Sequence, residues 1–377
     1  MDIQAPLALL GGLSPELFMR RHWQRKPLLV RQAVPDLRQA PDRSTVFALA
    51  EREEVESRLI RHTAKGWQMR HGPFVRRALP PLAQQAWTLL VQGVDLHDDD
   101  AHALLAPFRF LPGARLDDLM VSYASDGGGV GPHFDSYDVF LLQTAGRRRW
   151  RIGRQRDLSL QPDVPLKILE NFQPEEEFVL EPGDMLYLPP RYAHDGVAVG
   201  GDCMTCSIGF RAPRSNELAQ ELLQRLAEDA ADGSDGLYAD PRQPATATPG
   251  AIPEALAGFA REALEAVLRD RDALPRALGE YLTEPKPQVW FDEPGEEAGL
   301  AGGLRLDRRT RMLYDERHVF VNGESWRAAG RDARLMRELA DTRQLSARAL
   351  AGASEDAREL LRSWCEAGWA HGDRQAF

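Results

Sequence analysis

Apolar and polar positions alternate in short blocks through the first half of the chain, and turn residues punctuate the blocks. Ser14 and Pro15 stand where an N-cap and a first helical residue belong, so a helix is predicted through Phe18 and Trp23, stopped by Pro27. Leu28-Leu29-Val30 follows as a strand. Arg58-Leu59-Ile60 and Trp67-Gln68-Met69 read as two strands around Ala64-Lys65-Gly66, and Trp87 to Val91 as a core strand. The acidic stretch Leu96 to Asp100 lacks the alternating oxygen ligands and glycine bend of a calcium loop and reads as a helix start, where acidic charge is favoured. Arg115 to Ser125 is predicted as a strand. Val139 to Leu142 is an apolar run of buried-strand type, Thr144-Ala145-Gly146 a turn, and Arg147 to Ile152 the returning strand. Glu181-Pro182-Gly183-Asp184 is a turn before the strand Met185 to Leu188, which Pro189-Pro190 closes. A meander of short strands of this kind suits a small double-stranded barrel.

Beyond Phe210-Arg211-Ala212-Pro213 the period changes from two to about 3.6. Glu217 to Ala231, Ile252 to Leu268 and Ala273 to Leu282 are predicted helices, with a Gly/Pro/Ala/Thr-rich loop from Gly233 to Pro249. Pro285-Lys286-Pro287 marks a further boundary. After it come strand-like Met312 to Tyr314, His318 to Val321 with Asn322-Gly323 as a hairpin signal, and helices over Ala333–Ala340, Ser346–Ala351 and Asp356–Ala367. The expected class is α+β in three parts: a barrel domain over 1–212, a helical region over 213–284 and a winged-helix-like domain over 285–377.

Composition changes this picture little. No apolar run approaches the roughly 18 residues of a membrane span, and the first residues lack the basic and apolar regions of a signal peptide, so a cytoplasmic protein is expected. The three cysteines do not make a disulfide framework, and Cys203 and Cys206 read as small residues of a buried strand rather than half a zinc site. The net charge of −10 argues against direct nucleic-acid binding and suits a basic protein partner.

The chemistry gathers in GGGVGPHFDSYDVFLLQTAGRRRWR and in PGDMLYLPPRYAH. His133 and Asp135 are two apart, so on an extended strand they project from one face. Pro132 suits the start of such a strand. With His194 as third ligand they make the two-histidine, one-carboxylate set of non-haem Fe(II) oxygenases, which leaves positions open for a co-substrate and dioxygen. Gly127-Gly128-Gly129 is followed by neither Gly-Lys-Ser/Thr nor a helix, so it reads as a flexible turn beside the metal mouth rather than a phosphate cradle. A co-substrate carboxylate needs one arginine, and Arg147, Arg148, Arg149 and Arg151 compete. Alternation sets Arg148, Trp150 and Ile152 on one face and Arg147 and Arg149 on the other. A cationic substrate side chain would need a carboxylate and an aromatic wall, for which Asp118 and Tyr137 are candidates, with Met120 as an apolar neighbour.

These two stretches, with FMRRHWQRKPLLVR near the start, resemble the JmjC/cupin-type 2-oxoglutarate oxygenases, and among them the bacterial ribosomal oxygenases that hydroxylate a ribosomal protein arginine. The resemblance extends over the chain and is most specific in the central block. It implies Fe(II) on His133, Asp135 and His194, with 2-oxoglutarate clamped by Arg148 beside the Ser122 hydroxyl. It implies an arginine slot lined by Asp118, Met120 and Tyr137. It further implies a large-subunit ribosomal protein, protein sixteen, as substrate, and a homodimer formed through the helical region. Other readings stay open: hydroxylation of histidine or asparagine, lysine demethylation, a metal-binding cupin without oxygenase activity, or a non-enzymatic binding module.

Overall fold

The computed structural model describes residues 2–231, 236–292, 300 and 302–372. The first residues of the loop expected from Gly233 lie outside them. The chain divides into two compact units, one ending at Ala212 and one beginning at Pro213.

The first unit contains α1 (Pro15–Arg21), β1 (Leu28–Val30), α2 (Arg43–Leu49), β2 (Ser57–Thr63), β3 (Gly66–His71), β4 (Trp87–Val91) and α3 (Asp99–Ala103). It continues with β5 (Leu116–Ala124), β6 (Asp138–Gly153), β7 (Glu176–Leu180), β8 (Met185–Leu188) and β9 (Ala193–Phe210). The sheet runs in the order β1-β8-β6-β9-β5-β4-β2-β3, with β7 also on β6. Ser14 caps α1 by accepting from the Leu17 N–H at 3.2 Å, with Pro15 in the first turn as expected. The helix ends at Arg21, before Trp23 rather than through it.

One face of the sheet packs on the N-terminal helices. Leu89, Leu119, Val121, Phe140, Leu142, Ile208 and Phe210 share a core with Phe18 of α1 and Val46 and Phe47 of α2. Phe18 meets Phe140 at 5.6 Å and Tyr187 at 5.0 Å between ring centroids. Burying one such side chain contributes about 2–3 kcal/mol. A second cluster, Val139, Leu141, Trp150, Ile152, Leu180, Leu186 and Leu188, fills the barrel interior.

Two further expectations are corrected here. Thr144-Ala145-Gly146 is not a turn: β6 is one strand of 16 residues, paired with β9 on both sides of this point. The register shifts between Gln143 and Ala145 and again between Ala145 and Arg147, and Gly146 adopts φ +60°. The turn-like composition serves a bulge inside a strand, which a long antiparallel partner holds straight enough to continue. His133 does not lie on a strand either. It forms one isolated bridge to His194 in an otherwise irregular segment.

The second unit contains α4 (Ser215–Ala231), α5 (Glu254–Arg269), α6 (Ala273–Thr283), β10 (Gly303–Leu306), β11 (Met312–Tyr314), β12 (His318–Val321) and β13 (Glu324–Arg327). It ends with α7 (Gly330–Thr342), β14 (Gln344–Ser346), α8 (Ala347–Ala351), α9 (Glu355–Glu366) and β15 (Ala370–Gly372). Asn322 and Gly323 both take positive φ, as the expected two-residue hairpin requires. Leu304, Val319, Val321, Leu335, Leu339, Leu361 and Trp364 form the core of this helix-and-hairpin arrangement. Helix α6 seats on the hairpin: a Cβ on Gly279 would stand 2.4 Å from the Phe320 ring, and the Gly323 N–H donates to Thr283 Oγ1 at 3.1 Å. These contacts cross the join at 284/285. In contrast, α5 buries none of its side chains. Among the described residues no helix is long and apolar enough to cross a membrane.

Candidate metal centre

The irregular segment carrying His133 is tied to the start of β9 by main-chain hydrogen bonds. The His133 N–H donates to the His194 carbonyl at 2.9 Å, and the His194 N–H returns to the His133 carbonyl at 2.8 Å. The Arg191 N–H donates to the Asp135 carbonyl at 2.7 Å. Two segments about sixty residues apart are thus joined before any side chain is considered. The two imidazole centroids stand 4.2 Å apart, and His194 Nε2 lies 3.5 Å from Asp135 Oδ2. Ligand atoms of His133, Asp135 and His194 all fall within 4.8 Å of one another, the one such cluster among the described residues.

Both imidazoles are oriented in the same way. Nδ1 of His133 lies 2.9 Å from the Gly131 carbonyl, and Nδ1 of His194 lies 2.9 Å from the Tyr192 carbonyl. A carbonyl only accepts, so each Nδ1 carries the proton and each Nε2 presents a lone pair. His194 is 3% exposed. Burial, reinforced by neighbouring His133 and only partly offset by Asp135, pushes its pKa down to about 4. At neutral pH it is in the uncharged form that binds metal. Two nitrogens and a carboxylate oxygen converging from one side fit a ferrous ion with open positions opposite.

The glycines do more than allow flexibility. A Cβ on Gly129 would stand 2.6 Å from the Gly196 carbonyl, and one on Gly196 would stand 2.6 Å from the Trp150 ring. Gly131 adopts φ +78° with the Trp67 ring and Ile168 against it. Side chains at Gly129 and Gly131 would therefore hold this run away from β9 and from the Trp67 ring.

Arg148 is 3% exposed, whereas Arg147 is exposed and Arg149 and Arg151 are half-buried. Its Nε and Nη2 find no hydrogen-bond partner among the described residues, and its guanidinium lies 5.8 Å from the Trp150 ring centre. Arg151 instead pairs with Asp195 at 2.6 Å. A buried guanidinium with two unsatisfied donors fits the far carboxylate of 2-oxoglutarate, which can take both at once. Arg148 sits opposite Ala198 of β9, and Ala198 packs with Ala124, two residues along β5 from Ser122. Ser122 is buried and donates to the Thr205 carbonyl at 3.4 Å.

Asp118, Met120 and Ser122 alternate along β5. Asp118 is 3% exposed, Met120 is half-buried opposite Ser207, and Tyr137 is 36% exposed at the mouth. Burial, followed by the negative charges of Asp135 and Asp118, pushes the Tyr137 hydroxyl far above its ordinary pKa. The Tyr137 hydroxyl is therefore within reach of both the metal-side carboxylate and Asp118. Sequence reasoning passed over Gln92, which donates to Asp118, and Trp67 and Gly196, which lie against Gly131 and the Trp150 ring. An amide or a glycine carries no signature until its neighbours are known.

The region 103–218 matches the model of the JmjC domain, and 266–371 matches that of the ROXA-like winged helix. The chain is 35% identical over 325 residues to the ribosomal protein uL16 3-hydroxylase of Escherichia coli strain K12, covering 81% of this chain and 84% of that protein. It belongs to the bacterial ribosomal oxygenases. The X-ray structure of E. coli ycfD superposes on this ribosomal oxygenase with a TM-score of 0.82 at 30% identity, over 94% of this chain and 97% of that one. E. coli YcfD in complex with cobalt and 2-oxoglutarate superposes with a TM-score of 0.78 at 31% identity, over 94% and 97% of the two chains. The α+β reading, a JmjC/cupin barrel followed by a helical region and a winged-helix domain, holds.

Proposed function

We propose that the chain is an Fe(II)- and 2-oxoglutarate-dependent hydroxylase of a ribosomal protein, and that it acts on an arginine of uL16. The observation that carries this reading is the pairing of the open-sided His133, Asp135 and His194 cluster with the buried, unsatisfied Arg148. When bound, Fe(II) and 2-oxoglutarate supply the oxidation that inserts one oxygen atom of dioxygen into a substrate C–H bond, giving succinate and carbon dioxide. The chain's residues do the rest. His133, Asp135 and His194 hold the ion, and Arg148 with Ser122 orients the co-substrate. Val139, Leu141, Trp150 and Ile152 keep the interior dry.

The arginine target is supported by charge. The Asp118 charge reaches the Tyr137 hydroxyl, and a guanidinium entering beside that ring meets a carboxylate and an aromatic face together. Met120 would contact the aliphatic stem. The net charge of −10 favours encounter with a basic ribosomal protein. Such a substrate would set the enzyme's work in the cytoplasm. The apolar side chains exposed along α5, Leu256, Phe259, Leu264 and Leu268, support a homodimer formed through the helical region. We divide the chain into the barrel over 1–212, the helices over 213–284 and the winged-helix-like part over 285–377, to which α6 contributes packing.

The test is incubation of the purified protein with Fe(II), 2-oxoglutarate, oxygen and ribosomal proteins from a strain lacking this gene, followed by mass spectrometry. The expected result is gain of one oxygen atom on an arginine of uL16. Gain on a histidine or asparagine, or loss of methyl from lysine, would replace the substrate assignment. Absence of any 2-oxoglutarate turnover would remove the oxygenase itself.

A further inference from the structure

The carboxylate of Asp118 is reached by a line of polar side chains that the reaction described above does not use. Gln92 directly follows β4 and donates from Nε2 to Asp118 Oδ2 at 2.7 Å. Its Oε1 accepts from Arg58 Nη2 at 3.1 Å. Arg58 lies on β2 with its Nε 3.7 Å from Glu56 Oε1. The Gly93 N–H also donates to Asp118 Oδ2, at 3.2 Å. The orientation of the Gln92 amide follows from its neighbours: a guanidinium only donates and a carboxylate only accepts, so the oxygen faces Arg58 and the nitrogen faces Asp118.

We infer that Gln92 is a positioning residue for the substrate arginine, holding the Asp118 carboxylate in place to receive a guanidinium, and that Arg58 orients Gln92. The inference rests on the reading of Asp118 as the carboxylate that meets the substrate. The choice of an amide has a physical reason. An arginine in direct contact with Asp118 would occupy the carboxylate as the substrate does and weaken its attraction for a second cation. A glutamine fixes the geometry through a neutral dipole and adds no positive charge of its own beside the carboxylate. Arg58 makes the amide a better donor through the shared hydrogen-bond chain while staying one residue removed. Gln92 and Arg58 thereby set the preference for a cationic side chain over a neutral one of the same shape.

The experiment compares two labelled uL16 peptides, identical except that one carries citrulline at the target arginine. Each is titrated into enzyme loaded with Mn(II) and 2-oxoglutarate. Gln92→Met keeps the side-chain length and removes both hydrogen bonds. It is expected to weaken the arginine peptide about 10-fold, the size typical of a hydrogen bond to a charged group, while the citrulline peptide and 2-oxoglutarate bind as before. Arg58→Met should shift the arginine peptide in the same direction by less. Equal weakening of both peptides would make Gln92 a merely structural corner residue and overturn the inference. So would unchanged arginine binding in Gln92→Met where Asp118→Asn abolishes the preference, and this outcome leaves the Asp118 assignment standing. An Asp118→Asn enzyme that keeps its full arginine preference overturns that assignment and the inference with it. If Gln92→Met does not fold, Arg58→Met carries the same comparison.

Discussion

His133 and His194 each commit Nδ1 to a main-chain oxygen two residues upstream, which leaves Nε2 as the ring atom able to bind a cation. His133→Ala is therefore expected to abolish succinate formation from 2-oxoglutarate, and retained turnover would refute the ligand assignment. Arg148 makes the corresponding case for the co-substrate. Lysine at this position keeps the charge but loses the planar pair of donors, so Arg148→Lys should raise the KM for 2-oxoglutarate about 10- to 100-fold with a smaller change in kcat. At this scale the sequence was informative where residue types are chemically rare. An H-x-D is common by chance, but with a proline-marked strand start before it and a histidine after a later strand it points to a metal, and the structure brings those three together. Alternation separated Arg148 from Arg147 and Arg149 but could not show that it is buried. Gln92 was illegible, because its importance lies in Asp118, 26 residues away on another strand.

The strands and helices themselves were largely readable from period and punctuation. Trp87 to Val91, Met185 to Leu188, the Asn322-Gly323 hairpin and the cap at Ser14 all follow from local rules. The missed bulge has a definite cause. Thr144-Ala145-Gly146 has the composition of a turn, yet pairing with the 18-residue β9 carries the strand past it. Partner length is not visible in a local window, so a bulge and a turn look alike. Gly146 is required there: its φ is +60°, and an added Cβ would stand 2.8 Å from the Asp202 carbonyl. Gly146→Ala is expected to cost about 2 kcal/mol, from the left-handed backbone penalty and the close contact together, read as a lower midpoint in urea unfolding. A change within about 0.3 kcal/mol would show that the bulge relaxes freely.

For the whole molecule, charge and exposed apolar surface set the expectations. If α5 forms the dimer, Leu264→Glu combined with Leu268→Glu, both more than 60% exposed, should halve the mass seen by light scattering without lowering helix content. A dimer that survives would relocate the interface. The second unit has its own acid sensitivity. Burial disfavours charge on Asp307, but hydrogen bonds from Arg309 at 2.7 Å and His371 at 2.9 Å outweigh it and hold the carboxyl far below its ordinary range. A depressed acid contributes stability that is present above its unfolded pKa of about 3.9 and is lost as pH falls toward the folded value. Urea melts of the second unit's transition should weaken progressively below about pH 4, and Asp307→Asn should flatten that dependence.

The paired main-chain hydrogen bonds between His133 and His194 have a consequence for how the enzyme acquires its metal. In small zinc modules the ion itself drives the polypeptide to collapse around it, and chelation undoes the fold. Here the imidazoles are already poised by peptide groups, so a chelator should strip the protein without melting it. Apoenzyme and manganese-loaded enzyme should share one far-ultraviolet circular dichroism spectrum, and the cell could fill, empty and refill the same molecule as iron supply rises and falls.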